Sequence, residues 1–255
     1  LQIKTPKLRY FIKLAYNGKD YFGWQIQPRQ RSVQQTVEES ISTILRQEIK
    51  LVGAGRTDTG VHSKIMFAHF GFDGQLPEDL VHRMNQFLPK DIAIYEILKV
   101  KDDTHARFDA VSRTYHYLIK IGKDPFDYDY CWQIHQPLDV KKMNLASDYL
   151  LGKQDFSSFA KIHTDVKTHI CEVKSAFWTA SGNQLRFEIT ADRFLRNMVR
   201  SIVGTLVDVG REKISLAEFK TIIEKRDRKF ASGSAPAQGL YLVDVKYPKS
   251  IYTNE

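Results

Sequence analysis

The segment Gly55-Arg56-Thr57-Asp58-Thr59-Gly60-Val61-His62 carries the clearest chemistry in this chain. Glycines bracket it, so the backbone can turn tightly and approach a ligand closely. Between them, small polar side chains surround one guanidinium and one carboxylate. An unperturbed Asp is ionised near neutral pH, so Asp58 can attack an electrophilic carbon without a base to activate it. His62 adds a possible acid or base. The competing reading is an Asx-turn in which Asp58 caps local amides and His62 is structural. A hydrolase using Asp58 and His62 as its acid–base pair would need a second carboxylate or a metal cluster nearby in sequence, and neither is found.

Two further segments hold groups that suit a polyanion. In Arg113-Thr114-Tyr115-His116-Tyr117, the tyrosines at 115 and 117 share one face of an expected strand. An aromatic there can stack on an unstacked base while a basic neighbour holds phosphate; packing in a core is the alternative. In Asp192-Arg193-Phe194-Leu195-Arg196-Asn197-Met198-Val199-Arg200, a helix would place Arg193, Arg196 and Arg200 on one stripe. Those arginines either contact phosphates or form a solvated face. Arg200 falls in the most apolar part of that stretch and is expected to have a buried anionic partner, because an unpaired buried charge is very costly.

The elements that must position these groups are legible from periodicity. Residues 8–16 alternate as a strand, with Leu8, Tyr10, Ile12, Leu14 and Tyr16 on one face. Ser32 and Gln35 suggest a capping box for a helix carrying Val33, Val37, Ile41, Ile44 and Leu45. Strands are expected over 48–53, 64–72 and 92–100, and Pro77 opens a helix that Pro89 stops. The second half reads as a strand over 111–121, a helix over 140–151, a hairpin of 170–180 and 184–191, and a helix over 194–209. A further helix is capped by Ser215 and Glu218, and a last strand spans 240–247. Each half has the order β-α-β-β-α-β, which predicts an α/β (α+β) fold of two tandem ferredoxin-like halves. We expect facing sheets with a central basic cleft between them. The expected division is 1–105, carrying the Asp58 loop, and 106–255, carrying Tyr115 and Arg200.

Composition is compatible with this picture. The 255 residues are 42% hydrophobic and 27% charged, with a net charge of +8, which suits a polyanionic partner. No apolar run reaches the roughly 18–20 residues that a membrane span needs. The stretch Leu1–Pro6 has no apolar core of signal-peptide length, so a cytoplasmic protein is expected. Cys131 and Cys171 are too few for a disulfide framework. With His135 and His169 they match no compact zinc spacing, and they read as small buried hydrophobes.

Taken in order, these segments resemble the tRNA pseudouridine synthase A family. The resemblance also rests on Tyr21-Phe22-Gly23-Trp24-Gln25, Ser32-Val33-Gln34, His105-Ala106-Arg107-Phe108 and Gly239-Leu240-Tyr241-Leu242, and it covers nearly the whole chain. Arg196-Asn197 departs from the pair expected in many members. The resemblance implies the pseudouridine synthase fold and an isomerase that converts uridine to pseudouridine at positions 38, 39 and 40 of the tRNA anticodon stem-loop. It implies a homodimer, with no cofactor and no metal. It assigns Asp58 as the essential carboxylate, Tyr115 as the aromatic that stacks on the flipped base, and Arg200 as the partner of Asp58. Arg56 would fill the space left by base flipping, with Arg193, Arg196, Arg107 and Arg113 on phosphates. The alternatives are a non-catalytic tRNA-binding protein and the same isomerisation at uridines of other RNAs.

Overall fold

The computed structural model describes residues 8–162 and 166–253; the Leu1–Pro6 stretch considered above lies outside the described residues. Two compact units emerge. The first runs to Val111 and regains the chain at Leu242, and the second is Ser112–Tyr241. The division expected from sequence, at 105/106, differs from this one and keeps the last strand with the second half. No helix among the described residues is long and apolar enough to cross a membrane.

The first unit has the expected β-α-β-β-α-β order: β1 (Leu8–Tyr16), α1 (Val33–Leu45), β2 (Val52–Gly53), β3 (His62–Phe72), α2 (Leu80–Phe87) and β4 (Ile92–Val100). β1 lies antiparallel between β4 and β3, with Ile12 opposite Ala68 and Ile97. Ile12 and Leu14 are fully buried on one face of β1. The opposite face is not open along its length: Phe11, Phe67 and Tyr247 meet there, with ring centres 4.9–6.0 Å apart.

The expected strand over 48–53 shrinks to two residues, and the reason is local. The amide of Ile49 donates to Ser42 Oγ at 2.9 Å and that of Leu51 to Glu38 Oε1 at 2.8 Å. Side chains of α1 therefore satisfy backbone groups that a neighbouring strand would otherwise pair. The N-terminus of α1 is also half of what the motif suggested. Ser32 Oγ accepts from the Gln35 amide, but the Gln35 side chain turns to Glu39. α2 begins three residues after Pro77, which instead supplies the carbonyl for the Leu80 amide.

In the second unit the long strands are β5 (Ser112–Ile121), β8 (Ile170–Ser181) and β9 (Gln184–Ala191). β9 lies antiparallel between β5 and β8. Two short strands escaped the sequence reading. β6 (Trp132–Ile134) runs parallel beside β5, and β7 (Gly152–Asp155) pairs with β8. Helix α3 (Val140–Asp148) packs on β8 and on α4 (Met198–Gly210). Helix α5 (Leu216–Lys225) carries the complete Ser215–Glu218 capping box. The last strand, β10 (Leu240–Lys246), begins in this unit and ends in the first, where Leu242 accepts a hydrogen bond from Ser63 Oγ at 3.3 Å.

One expectation fails in a way that bears on function. α4 starts at Met198, so Arg193 and Arg196 do not share a helical stripe with Arg200. Asn197 takes a left-handed conformation (φ 65°) and its Nδ2 donates to Ser234 Oγ at 2.6 Å. The Arg196 carbonyl accepts from the Lys161 amide. These partners are remote in sequence and override a good helical pattern.

Candidate active site

Asp58 sits half-buried at the tip of the loop between β2 and β3, with Arg56 and Thr59 exposed beside it. The Val61 amide donates to the Asp58 carbonyl at 3.1 Å, closing a turn whose third residue, Gly60, has φ +77°. A positive φ at that position is what a glycine supplies without steric cost. The backbone of 58–61 therefore forms a turn closed by the Asp58 carbonyl, and the turn fixes the backbone at Asp58.

A segment more than thirty residues earlier supports the loop from below. Gly60 donates to the Tyr21 carbonyl at 3.2 Å, and Trp24 donates to the Thr57 carbonyl at 3.3 Å. Tyr16 and Thr57 share a hydroxyl hydrogen bond of 2.9 Å. Gly23 has φ +85°, and a Cβ placed there would lie 2.3 Å from the Thr57 carbonyl oxygen and 3.1 Å from Asp58 C. Only glycine allows this approach. Gly55, by contrast, has nothing within 4 Å of such a Cβ. His62 is buried, and its Nδ1 accepts from the Gly18 amide at 3.1 Å, which is the structural role.

The supporting segment is fixed to α1 and to the approach to β2 by one side chain. Gln34 Oε1 accepts from Gln25 Nε2 at 2.9 Å and from the Ile26 amide at 3.1 Å. Its Nε2 donates to Glu38 Oε1 at 2.8 Å and to the Leu51 carbonyl at 2.9 Å. Two donors and two acceptor sites exhaust the capacity of a primary amide. Glu38 is itself buried and lies 3.7 Å from Lys50. Sequence reading quoted Gln34 in a motif but gave it no role, and it passed over Glu38. The available signal was two polar residues four apart on the helix face that also presents Val37 and Ile41.

In the second unit, Tyr115 lies on β5 opposite Ile189 of β9. Its ring meets Phe194 edge-on, with centres 5.1 Å apart at 86°. Phe194 thus orients the tyrosine, a role that its place in a motif did not reveal. Tyr117, two residues on, follows the core alternative. It is fully buried, its hydroxyl donates to the Pro236 carbonyl at 2.8 Å, and burial pushes its pKa well above the ordinary tyrosine value. Arg200 is half-buried, and its Nε donates to the Ala235 carbonyl at 2.7 Å while the Ala235 amide returns a bond of 2.9 Å to the Arg200 carbonyl.

The other basic residues stand apart in character. Arg113 Nη1 donates to the Asp192 carbonyl at 2.7 Å, so that guanidinium is committed in part to bracing β5. Arg193 is half-buried, whereas Arg196 and Arg107 are exposed. Cys131 and Cys171 are buried, and desolvation pushes the Cys171 thiol up to about 12, as small core residues would be.

A family model described as tRNA pseudouridine synthase matches residues 13–109 and 146–248. The chain belongs to the tRNA pseudouridine synthase family. It is 53% identical over 249 residues to tRNA pseudouridine synthase A of Porphyromonas gingivalis, covering 96% of this chain and 99% of that one. Against tRNA pseudouridine synthase A of Bacteroides fragilis it is 51% identical over 247 residues, covering 96% and 98%. The enzyme of the same name from Francisella tularensis subsp. novicida is 37% identical over 243 residues, covering 94% of each. In this synthase the matched segments take in Asp58, Gln34, Glu38 and Arg200, and Tyr115 falls between them.

Proposed function

We propose that this synthase converts uridine to pseudouridine at positions 38, 39 and 40 of the tRNA anticodon stem-loop. The observation that carries this reading is a carboxylate, Asp58, held at the tip of a loop whose backbone is fixed by Tyr21, Trp24 and Gly23, in a chain of this family. The reaction breaks the N1–C1′ bond, turns the uracil and joins C1′ to C5. The C5 hydrogen leaves as a proton and N1 gains one. Atoms and electrons balance without an oxidant or second substrate, so the chemistry asks for no cofactor.

In this reading Asp58 starts the reaction as the ionised carboxylate. Attack at C1′, addition at C6 and removal of a sugar proton would all use that anion, and all require it to be held within reach of the nucleoside. Arg200 pairs with it and fixes its orientation. Tyr115 stacks on the target base, and its hydroxyl assists removal of the proton from C5. Extruding a stacked uridine costs a few kcal/mol, and Arg56 fills the vacated space. Arg193, Arg196, Arg107 and Arg113 hold phosphates. The synthase acts as a cytoplasmic homodimer.

The test is tritium release from tRNA containing [5-³H]uridine. Wild type should release tritium, Asp58→Asn none, and Arg56→Ala far less than wild type, with both variants folded and binding tRNA. Release that persists in Asp58→Asn would remove the nucleophile. Tight tRNA binding without release would favour a binding protein, and release only from another RNA would move the same chemistry to that substrate.

A further inference from the structure

The turn from Thr104 to Asp109 is built with unusual completeness for a surface connection. The His105 amide donates to Asp109 Oδ2 at 2.7 Å and the Asp109 amide returns to the His105 carbonyl at 3.1 Å. Ala106 donates to His69 Nδ1 at 3.0 Å, and Arg107 and Phe108 donate to His105 Nδ1 at 3.1 and 3.4 Å. Every backbone amide from 105 to 109 therefore has a partner. Tyr247 donates its hydroxyl to the Ala106 carbonyl at 2.6 Å, and Arg9 Nη1 reaches the Thr104 carbonyl at 3.0 Å. His69 and His105 meet edge-on at 4.6 Å.

What this scaffold presents is an aromatic ring in water. Phe108 is 73% exposed. His105 backs it at 4.2 Å between ring centres, and the Arg107 guanidinium lies over it at 5.6 Å. A lone exposed Phe needs no explanation. A rigid turn that holds a Phe outward, with a cation on its ring and a net charge of +8 for the chain, does.

We infer that Phe108 is a stacking platform for an unpaired nucleobase of the tRNA, with Arg107 engaging the phosphate of the same nucleotide. The inference rests on the proposal that tRNA is the substrate. Base–aromatic stacking tolerates any base because every base has a π-face, and arginine beside the ring adds both cation–π attraction and phosphate contact. Phe108 then contributes to holding the RNA and not to the bond changes.

Titration of the full-length protein with unmodified tRNA transcript tests this. Phe108→Ala should raise the Kd roughly 5- to 150-fold, the usual range for loss of one stacked base. Tritium release at saturating tRNA should stay at the wild-type rate, and Phe108→Trp should restore affinity. An unchanged Kd in Phe108→Ala, beside a wild type that binds and reacts, overturns the platform and leaves the proposed function standing. A shift in oligomeric state by sedimentation with unchanged tRNA affinity also overturns it, because the ring then covers a second copy of the chain. A wild type that neither binds tRNA nor releases tritium overturns the proposed function and the platform together.

Discussion

Gly23→Ala should disable the synthase without touching any residue assigned to chemistry. Gly23 has φ +85°, where an L side chain costs on the order of 1–2 kcal/mol. Its Cβ would also lie 2.3 Å from the Thr57 carbonyl oxygen and 3.1 Å from Asp58 C. Both neighbours are backbone, so neither can rotate aside. Bringing the oxygen contact to an ordinary separation means moving the Thr57–Asp58 backbone by roughly 1 Å. A misplacement of that size at a catalytic group costs on the order of 100-fold in rate, equivalent to about 2.7 kcal/mol. Single-turnover tritium release at saturating tRNA reads the effect directly. The expected result is a rate about 100-fold below wild type with near-wild-type tRNA affinity, because Gly23 carries no charge to lose. Gly55→Ala is the internal control, since nothing in the protein lies within 4 Å of a Cβ there. The fold should accept it, and a loss of activity in that variant would mean that the RNA approaches the loop at Gly55. A Gly23→Ala protein that is folded and within about threefold of the wild-type rate would refute the claim that this contact sets the position of Asp58.

Gln34→Leu removes four side-chain hydrogen bonds and strands the buried Leu51 carbonyl. Unfolding in urea should show a loss of about 3 kcal/mol or more, and a loss below about 1 kcal/mol would show that water replaces the amide. His69 is held at a pKa of about 4, chiefly by burial and then by the nearby charge of Arg9. Its unfolded value is 6.5, so the unfolded chain binds more protons between the two. The associated stability is full above pH 6.5 and is lost as pH falls toward 4, by about 3 kcal/mol in total. An NMR titration that placed the His69 imidazole near its ordinary value would contradict this.

Much of the fold was legible because it depends on local pattern. The alternation over 8–16 and the 92–100 run returned as strands with those bounds. Ser215 with Glu218 returned as a full capping box. What misled was every place where a distant partner outbid a local preference. The 48–53 run lost most of its strand because α1 side chains took its backbone groups. The 194–197 run lost its helix because Asn197 and Arg196 bond to Ser234 and Lys161.

The sequence by itself determined the family and supplied the carboxylate proposed for the site. An ionisable carboxylate in a glycine-bounded loop is a property of a few adjacent residues. Tertiary structure alone decided what fixes the backbone of that loop. Gly23 lies against Thr57 and Asp58, and Gln34 and Glu38 bond to Leu51 ahead of the loop, across 13 to 35 residues of chain, and no periodicity announces such contacts. The same holds for Phe194 against Tyr115 and for the turn that holds Phe108 in solvent. Hydrogen-bond partners and close approaches between segments depend on where the chain returns, and that is set by packing of the whole unit.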